Sequence, residues 1–233
     1  MAILSNLELI RRVPLFSNLA PAQAEVVAAS VSKARFKRGD AIVEQGQKSN
    51  SLGILLTGRA RVVKTNERGR EVILATLSPG DYLGEMSLID NQPHSATVRA
   101  DIQTDVLILG RAEFARCLSE NTAMAYAVMK GLVLRLRQAD RKIESLALMD
   151  VYGRVARVLI DFAKPDGKGH LVIEGKVSRQ DVAKMIGASR EMVSRVIKDL
   201  EDRGFVEQMS DGTTVVHDRR RAPGRTSIRP PAI

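Results

Sequence analysis

The apolar positions change period along the chain, and each change predicts a different kind of element. Up to about residue 30 the spacing is helical: Leu7, Ile10 and Leu15 form one stripe, and Pro21 opens a second helix through Ala29. From Arg35 to Leu109 short β segments alternate with glycine-containing turns. Arg35 to Asp40 reads as a strand end and a turn. Strands are predicted at Ala41 to Glu44, Leu52 to Leu56, Ala60 to Lys64, Val72 to Leu77, Ala96 to Ala100 and Thr104 to Leu109. Turns fall at Thr57-Gly58, at Asn66 to Gly69 and at Pro79-Gly80-Asp81, with loops at Gln45 to Asn50 and from Tyr82-Leu83-Gly84-Glu85-Met86 to Ser95. Strands at this even spacing predict a small barrel or sandwich.

Helical spacing returns from Arg111 to about Ala147. Ala125, Met129, Leu132, Leu136, Ala139, Ile143 and Leu146 follow one another at steps of 4, 3, 4, 3, 4 and 3 residues. That 3.5-residue repeat is the a/d seam of a coiled coil, and it predicts a parallel homodimer rather than a helix packed only on its own barrel. Asp150 to Phe162 reads as a further helix, Lys164-Pro165-Asp166-Gly167 as a turn and Leu171 to Ile173 as a short strand.

Residues 177 to 206 form the stretch that the rest of the chain serves. Ser178 caps a helix with Asp181 at the third position, and Val182, Met185 and Ile186 give it an apolar face. Gly187 can end it in the left-handed conformation. Ser189 caps a second helix whose buried stripe is Val193, Val196, Ile197 and Leu200, ending at Gly204. This is helix-turn-helix spacing. Phe205 to Met209 and Thr213 to His217 then read as a hairpin over Ser210-Asp211-Gly212, which makes the unit a winged helix. The outward face of the second helix carries Arg190, Glu191, Ser194, Arg195 and Lys198. Two arginines there can each pair bidentately with a guanine edge, and a glutamate can accept from cytosine N4. A solvated face of ordinary ion pairs is the plainer alternative.

Composition narrows the classes. A chain of 233 residues with 44% apolar content suits two globular domains. The single Cys117, in a helical apolar pattern, excludes a disulfide framework within the chain and argues against a cysteine-ligated iron–sulfur cluster. No apolar run reaches the length of a membrane span and the N-terminus lacks a cleavage site, so a cytoplasmic protein is expected. The net charge of +9 says little about DNA, since five of those charges are tail arginines and residues 151–218 hold eleven Lys/Arg against eleven Asp/Glu. The case rests on where Arg179, Lys184, Arg190, Arg195 and Lys198 point. The Pro- and Arg-rich tail, 219–233, reads as disordered. His94, His170 and His217 lie in separate segments, and there is no metal-ligand spacing, nucleophile elbow or Walker loop, so neither an enzyme nor a metal is expected.

Taken together, these residues resemble the cyclic-AMP receptor protein and fumarate-nitrate regulator (Crp/Fnr) family of bacterial transcription factors, from about residue 14 to 217. The likeness is carried by Ser189-Arg190-Glu191 with Arg195, by the barrel turns, by Pro79-Gly80-Asp81 leading to Gly84-Glu85, and by Leu146 to Gly153. It implies an α+β architecture: a cyclic-nucleotide-binding-type jelly-roll barrel at 1–110, a dimerisation helix at 111–148 with a hinge near Leu148 to Val151, and a winged helix-turn-helix at 149–218. It puts Arg190, Glu191 and Arg195 on base-reading positions for a palindrome of TGTGA-like half-sites. Ser189, Ser194 and Lys198 lie beside them, Arg179 falls near a backbone-contacting position, and RNA polymerase is the partner in regulation.

In the barrel, the resemblance makes Gly84, Glu85, Met86 and Ser87 the start of a phosphate-binding cassette. Glu85 would accept from a ribose hydroxyl, and Ser95 would face a phosphate. The family usually places Arg before that serine; here it is His94. Where the cyclic-AMP receptor carries hydroxyls facing adenine, this chain has Ala139 and Asp140. Asp140 could accept from a guanine edge or pair with Arg137 or Arg141, and Arg135, Arg137 and Arg141 suit an anionic ligand. Three effector states stay open: a cyclic mononucleotide, most simply cyclic AMP; another effector such as cyclic di-GMP; or an empty pocket. A heme would have His94 as its lone axial candidate. A nucleotide-binding module acting on a protein partner is the reading from a different class.

Overall fold

A computed structural model describes residues 5–17, 19–167, 170–175, 177–210 and 212–217. The chain divides into two compact units, residues 1–141 and 142–233. The tail, 219–233, and Asp211 of the predicted turn lie outside the described residues.

The first unit opens with two helices, α1 (Asn6–Arg12) and α2 (Pro21–Ser30), separated by a 3-10 turn at Pro14–Phe16. Ser5 caps α1 in a reciprocal bond pair with Glu8. The strands are β1 (Val31–Phe36), β2 (Ala41–Val43), β3 (Ser51–Thr57), β4 (Ala60–Thr65), β5 (Glu71–Leu77), β6 (Tyr82–Leu83), β7 (Thr97–Ala100) and β8 (Thr104–Gly110), with a short helix, α3 (Glu85–Asp90), after β6. They form two four-stranded antiparallel sheets, ordered β1-β8-β3-β6 and β2-β7-β4-β5, which is the predicted jelly roll. Strands β3 and β8 read as near-continuous apolar runs because both of their faces are covered. Leu52, Ile54, Leu107 and Leu109 pack among the helices with Ile10, Phe16, Phe114, Met124 and Val128. Leu55 lies in the second cluster, between the sheets, with Ala60, Leu77, Leu83 and Val98. Each such large side chain contributes about 1.5–3 kcal/mol through burial.

Helices α4 (Arg111–Glu120) and α5 (Thr122–Leu148) follow. The sequence pattern runs through their junction, but Asn121 breaks it: its side chain accepts from the Met124 N–H and caps α5. Cys117 is buried, as expected of a structural thiol.

The second unit contains α6 (Val151–Phe162), capped by Asp150, then β9 (Lys164–Pro165), β10 (Leu171–Ile173), α7 (Arg179–Ile186), α8 (Arg190–Asp202), β11 (Val206–Gln208) and β12 (Thr214–Val216). Lys164-Pro165, expected in a turn, instead pairs with Leu171 and Val172. The hairpin therefore belongs to a four-stranded sheet, β11-β12-β10-β9. Val155, Leu159, Ile173, Val182, Ala183, Ile186, Val193, Ile197, Leu200 and Val206 form its core.

Candidate functional site

In the second unit every local signal of the helix-turn-helix is realised. The Ser178 hydroxyl accepts from the Asp181 N–H, Gly187 takes φ +70°, and the Ser189 hydroxyl accepts from the Met192 N–H. Val193, Ile197 and Leu200 are buried, and that fixes the opposite face of α8 outward. Glu191, Arg195 and Lys198 occupy the middle of that exposed face; Arg190 flanks it and Ser194 is half-buried at its edge. Arg179 is exposed at the start of α7. Among the described residues, Arg179, Arg190, Arg195 and Lys198 form no ion pair, whereas Arg203, at the end of α8, and Arg157, on α6, are tied to Asp199 at 2.9 Å and Asp161 at 3.6 Å. The Glu191 carboxyl is held below its ordinary value by its own backbone N–H first, then by the Ser189 hydroxyl and the nearby arginines. This favours the ionised carboxylate, a hydrogen-bond acceptor. A cleft of about 510 Å³ is lined by Arg179, Gln180 and Arg190 together with Leu159, Ile197 and Val206.

In the first unit the cassette opens at Gly84, which has φ +86°; a Cβ there would lie 2.8 Å from the Ser51 carbonyl oxygen. This turn carries Glu85 inward, where it is 1% exposed. One carboxylate oxygen pairs with Arg135 of α5, and the other has no hydrogen-bond partner among the described residues. The Arg135 guanidinium also donates to the Tyr82 carbonyl and lies over the Tyr82 ring, 4.8 Å from its centroid. The Tyr82 hydroxyl donates to the Val128 carbonyl at 3.2 Å. Gly131 makes that approach possible, since a Cβ on it would lie 1.9 Å from the Tyr82 hydroxyl. Burial raises the Glu85 carboxyl above its ordinary value, against the pull of Arg135.

His94 is not an exposed loop residue. It is buried, with Nδ1 3.0 Å from the Ser87 hydroxyl and Nε2 2.9 Å from the Ser49 hydroxyl, and burial lowers its pKa. Burial thus favours the uncharged imidazole, which bridges the two hydroxyls. Its backbone is held by Gln47 and Gly46. Ser95 is exposed, and its carbonyl accepts from the Lys64 ammonium at 2.7 Å. Met86 is exposed and Ser87 buried, while Ala139 and Asp140 stand exposed on α5 and Asp140 forms no ion pair with a described residue.

The long helix carries two stripes. Met124 and Val128 are buried against the barrel, with Leu132 half-buried beside them. Met129, Leu136, Ile143 and Leu146, more than half exposed, form the second, together with exposed Ala139.

Comparison with known proteins decides the family. The cyclic nucleotide-binding domain family matches residues 33–121, and the Crp-like helix-turn-helix domain family matches residues 153–221. The chain is 34% identical to Vfr, a cAMP-activated global transcriptional regulator of Pseudomonas aeruginosa, over 74% of this chain and 83% of that one. This protein belongs to the Crp/Fnr family. It is also 31% identical to the cyclic AMP receptor protein of Thermus thermophilus, over 88% of this chain and 93% of that one. Among solved structures, the c-di-GMP responsive regulator CLP of Xanthomonas campestris is similar at a TM-score of 0.71 and 25% identity, covering 84% of this chain and 98% of that one. This Crp/Fnr chain is thus a DNA-binding transcription regulator with a cyclic nucleotide-binding domain, and not an enzyme. No helix among its described residues is long and apolar enough to cross a membrane.

Three parts of the regulator's barrel site escape the sequence pattern: the pairing of Arg135 with Glu85, the Tyr82 platform, and the Ser49–His94–Ser87 bridge. The available signals were Gly131, an isolated glycine in a helical run, and Arg135, which lies on the stripe of Val128 and Leu132.

Proposed function

We propose that the protein is a homodimer that binds a palindrome of TGTGA-like half-sites under control of a cyclic nucleotide held in its barrel, cyclic AMP first among candidates. The exposed, unpaired Arg190, Arg195 and Lys198 beside Glu191 on α8 carry the reading. Two copies joined along the α5 stripe of Met129, Leu132, Leu136, Ala139, Ile143 and Leu146 set two such faces one helical turn of DNA apart, about 34–36 Å. Arg190 and Arg195 read guanine edges, Glu191 reads cytosine, and Arg179, Ser189, Ser194 and Lys198 hold the backbone. Gly84 to Ser87 with Ser95 form the effector cassette, while His94, committed to Ser49 and Ser87, does not touch the ligand. Bound effector shifts the population between two arrangements of the dimer, with the chain break at Met149-Asp150 as the hinge. Bound to DNA, the dimer contacts RNA polymerase.

The likeness to Vfr and to the Thermus thermophilus receptor favours cyclic AMP. Cyclic di-GMP is the second reading, favoured by the absence of a hydroxyl at Ala139 and Asp140, by the carboxylate of Asp140 and by the likeness to CLP. The test is a DNA-binding titration of the full-length protein with no nucleotide, with cyclic AMP and with cyclic di-GMP. Tightening by one nucleotide alone names the effector; equal affinity in all three removes effector control and leaves DNA binding standing.

A further inference from the structure

We propose that Lys64, on strand β4, is the cationic phosphate-recognising residue of the effector pocket, in the place where His94 stands in sequence. The inference rests on the reading of the barrel as a nucleotide site. A cyclic nucleotide carries a phosphodiester anion, and an anion in a partly dry site needs a positive charge beside its hydrogen-bond donors. His94 cannot supply it. Both ring nitrogens are engaged by Ser49 and Ser87, and burial disfavours the charged ring. The arginines of the same sheet are committed elsewhere: Arg99 to Glu71 at 3.2 Å, and Arg61 to Asp101.

Lys64 is different. It forms no ion pair with a described residue, and its ammonium lies 2.7 Å from the Ser95 carbonyl oxygen. Ser95 in turn keeps its N–H and its hydroxyl without a partner among the described residues, on an exposed segment whose preceding residue is anchored by Gly46 and Gln47. One fixed dipeptide thus offers two free donors with a mobile-stemmed cation held at its edge. A lysine suits this position because its compact charge and three donors can serve the carbonyl and a phosphate oxygen together. The specificity that follows is for the anion: Lys64 discriminates a phosphodiester from a neutral nucleoside.

The experiment is calorimetric titration of the full-length dimer with cyclic AMP, cyclic di-GMP and adenosine, at two salt concentrations. The variants are Lys64→Met, Lys64→Arg and His94→Gln, each checked for an unchanged unfolding midpoint. Lys64→Met is expected to weaken cyclic-nucleotide binding at least tenfold and to flatten its salt dependence. Lys64→Arg should restore most of the affinity, His94→Gln should change it less than threefold at neutral pH, and adenosine should not distinguish Lys64→Met from wild type. A Lys64→Met protein that binds the nucleotide as wild type does overturns the proposal alone, as does loss of affinity in His94→Gln but not in Lys64→Met. A wild type that binds neither nucleotide overturns the effector reading and this proposal with it.

Discussion

Arg135 and Glu85 close on each other across the barrel–helix junction of the first unit: a cation on α5 meets a carboxylate that is 1% exposed at the start of α3. The pair ties the cassette to the same helix that carries the exposed stripe.

Breaking that pair should destabilise the barrel. Removing one partner of a fully buried pair costs roughly 3–5 kcal/mol. Arg135 is 37% exposed, so screening lowers the expected loss for Arg135→Ala to about 1–3 kcal/mol. The loss carries a pH signature. Burial already holds the Glu85 carboxyl above its ordinary value, and loss of Arg135 pushes it higher. Between the unfolded and folded values the native state keeps a proton that the unfolded chain releases, so stability falls as pH rises through that window. Urea unfolding should show the Arg135→Ala deficit growing from mildly acidic to neutral pH, and Arg135→Ala combined with Glu85→Gln should recover most of it.

His94 predicts the opposite slope. Its folded pKa lies below the unfolded value of 6.5, so its contribution is complete above that value and is lost as pH falls through it. Thermal unfolding of the wild type should therefore weaken on acidification below that point more than unfolding of His94→Gln does. Ser49→Ala or Ser87→Ala should each cost about 1 kcal/mol at neutral pH, because each leaves a ring nitrogen without its partner.

The two stripes of α5 should separate cleanly on mutation. Leu136→Glu and Ile143→Glu alter side chains that are 62% and 64% exposed in the single chain. They should give a monomer by sedimentation while shifting barrel stability by less than about 1 kcal/mol. Val128→Ala, on the barrel stripe, should cost about 1–3 kcal/mol and leave self-association intact.

On DNA, Arg190→Ala and Arg195→Ala should each cost about 1–3 kcal/mol of discrimination, confined to one base pair per half-site. Lys198→Ala should weaken binding to all sequences alike and lower the salt slope by about one unit for each lysine lost. Fluorescence anisotropy across single-base operator variants and a salt series distinguishes the two behaviours.

Much of this was legible in the sequence, and the physical reason is locality. The caps Ser178 and Ser189, the left-handed Gly187 and the apolar stripe of α8 are set by residues within four positions of one another, so their pattern survives into the fold. What was lost is non-local or very short. The six residues of α3 are too few to show a helical period, and the pairing of Lys164-Pro165 with β10 depends on a partner across the sheet. The role of Arg135 depends on which face of α5 meets Tyr82, and two apolar stripes on one helix blur into a single seam: Leu132 reads as part of the dimer seam yet packs partly on its own barrel. His94 looked like a loop histidine because its partners, half-buried Ser49 and buried Ser87, lie 45 and 7 residues away.

The most direct measurement is the affinity of the full-length protein for a duplex carrying two inverted TGTGA-like half-sites against a scrambled duplex, for wild type and for Arg190→Ala combined with Arg195→Ala, with cyclic AMP and with cyclic di-GMP present in turn. A wild-type preference of about a thousandfold or more that collapses in the double variant is the predicted result. Equal affinity of the wild type for both duplexes under both nucleotides, or a preference that the double variant keeps, would contradict it.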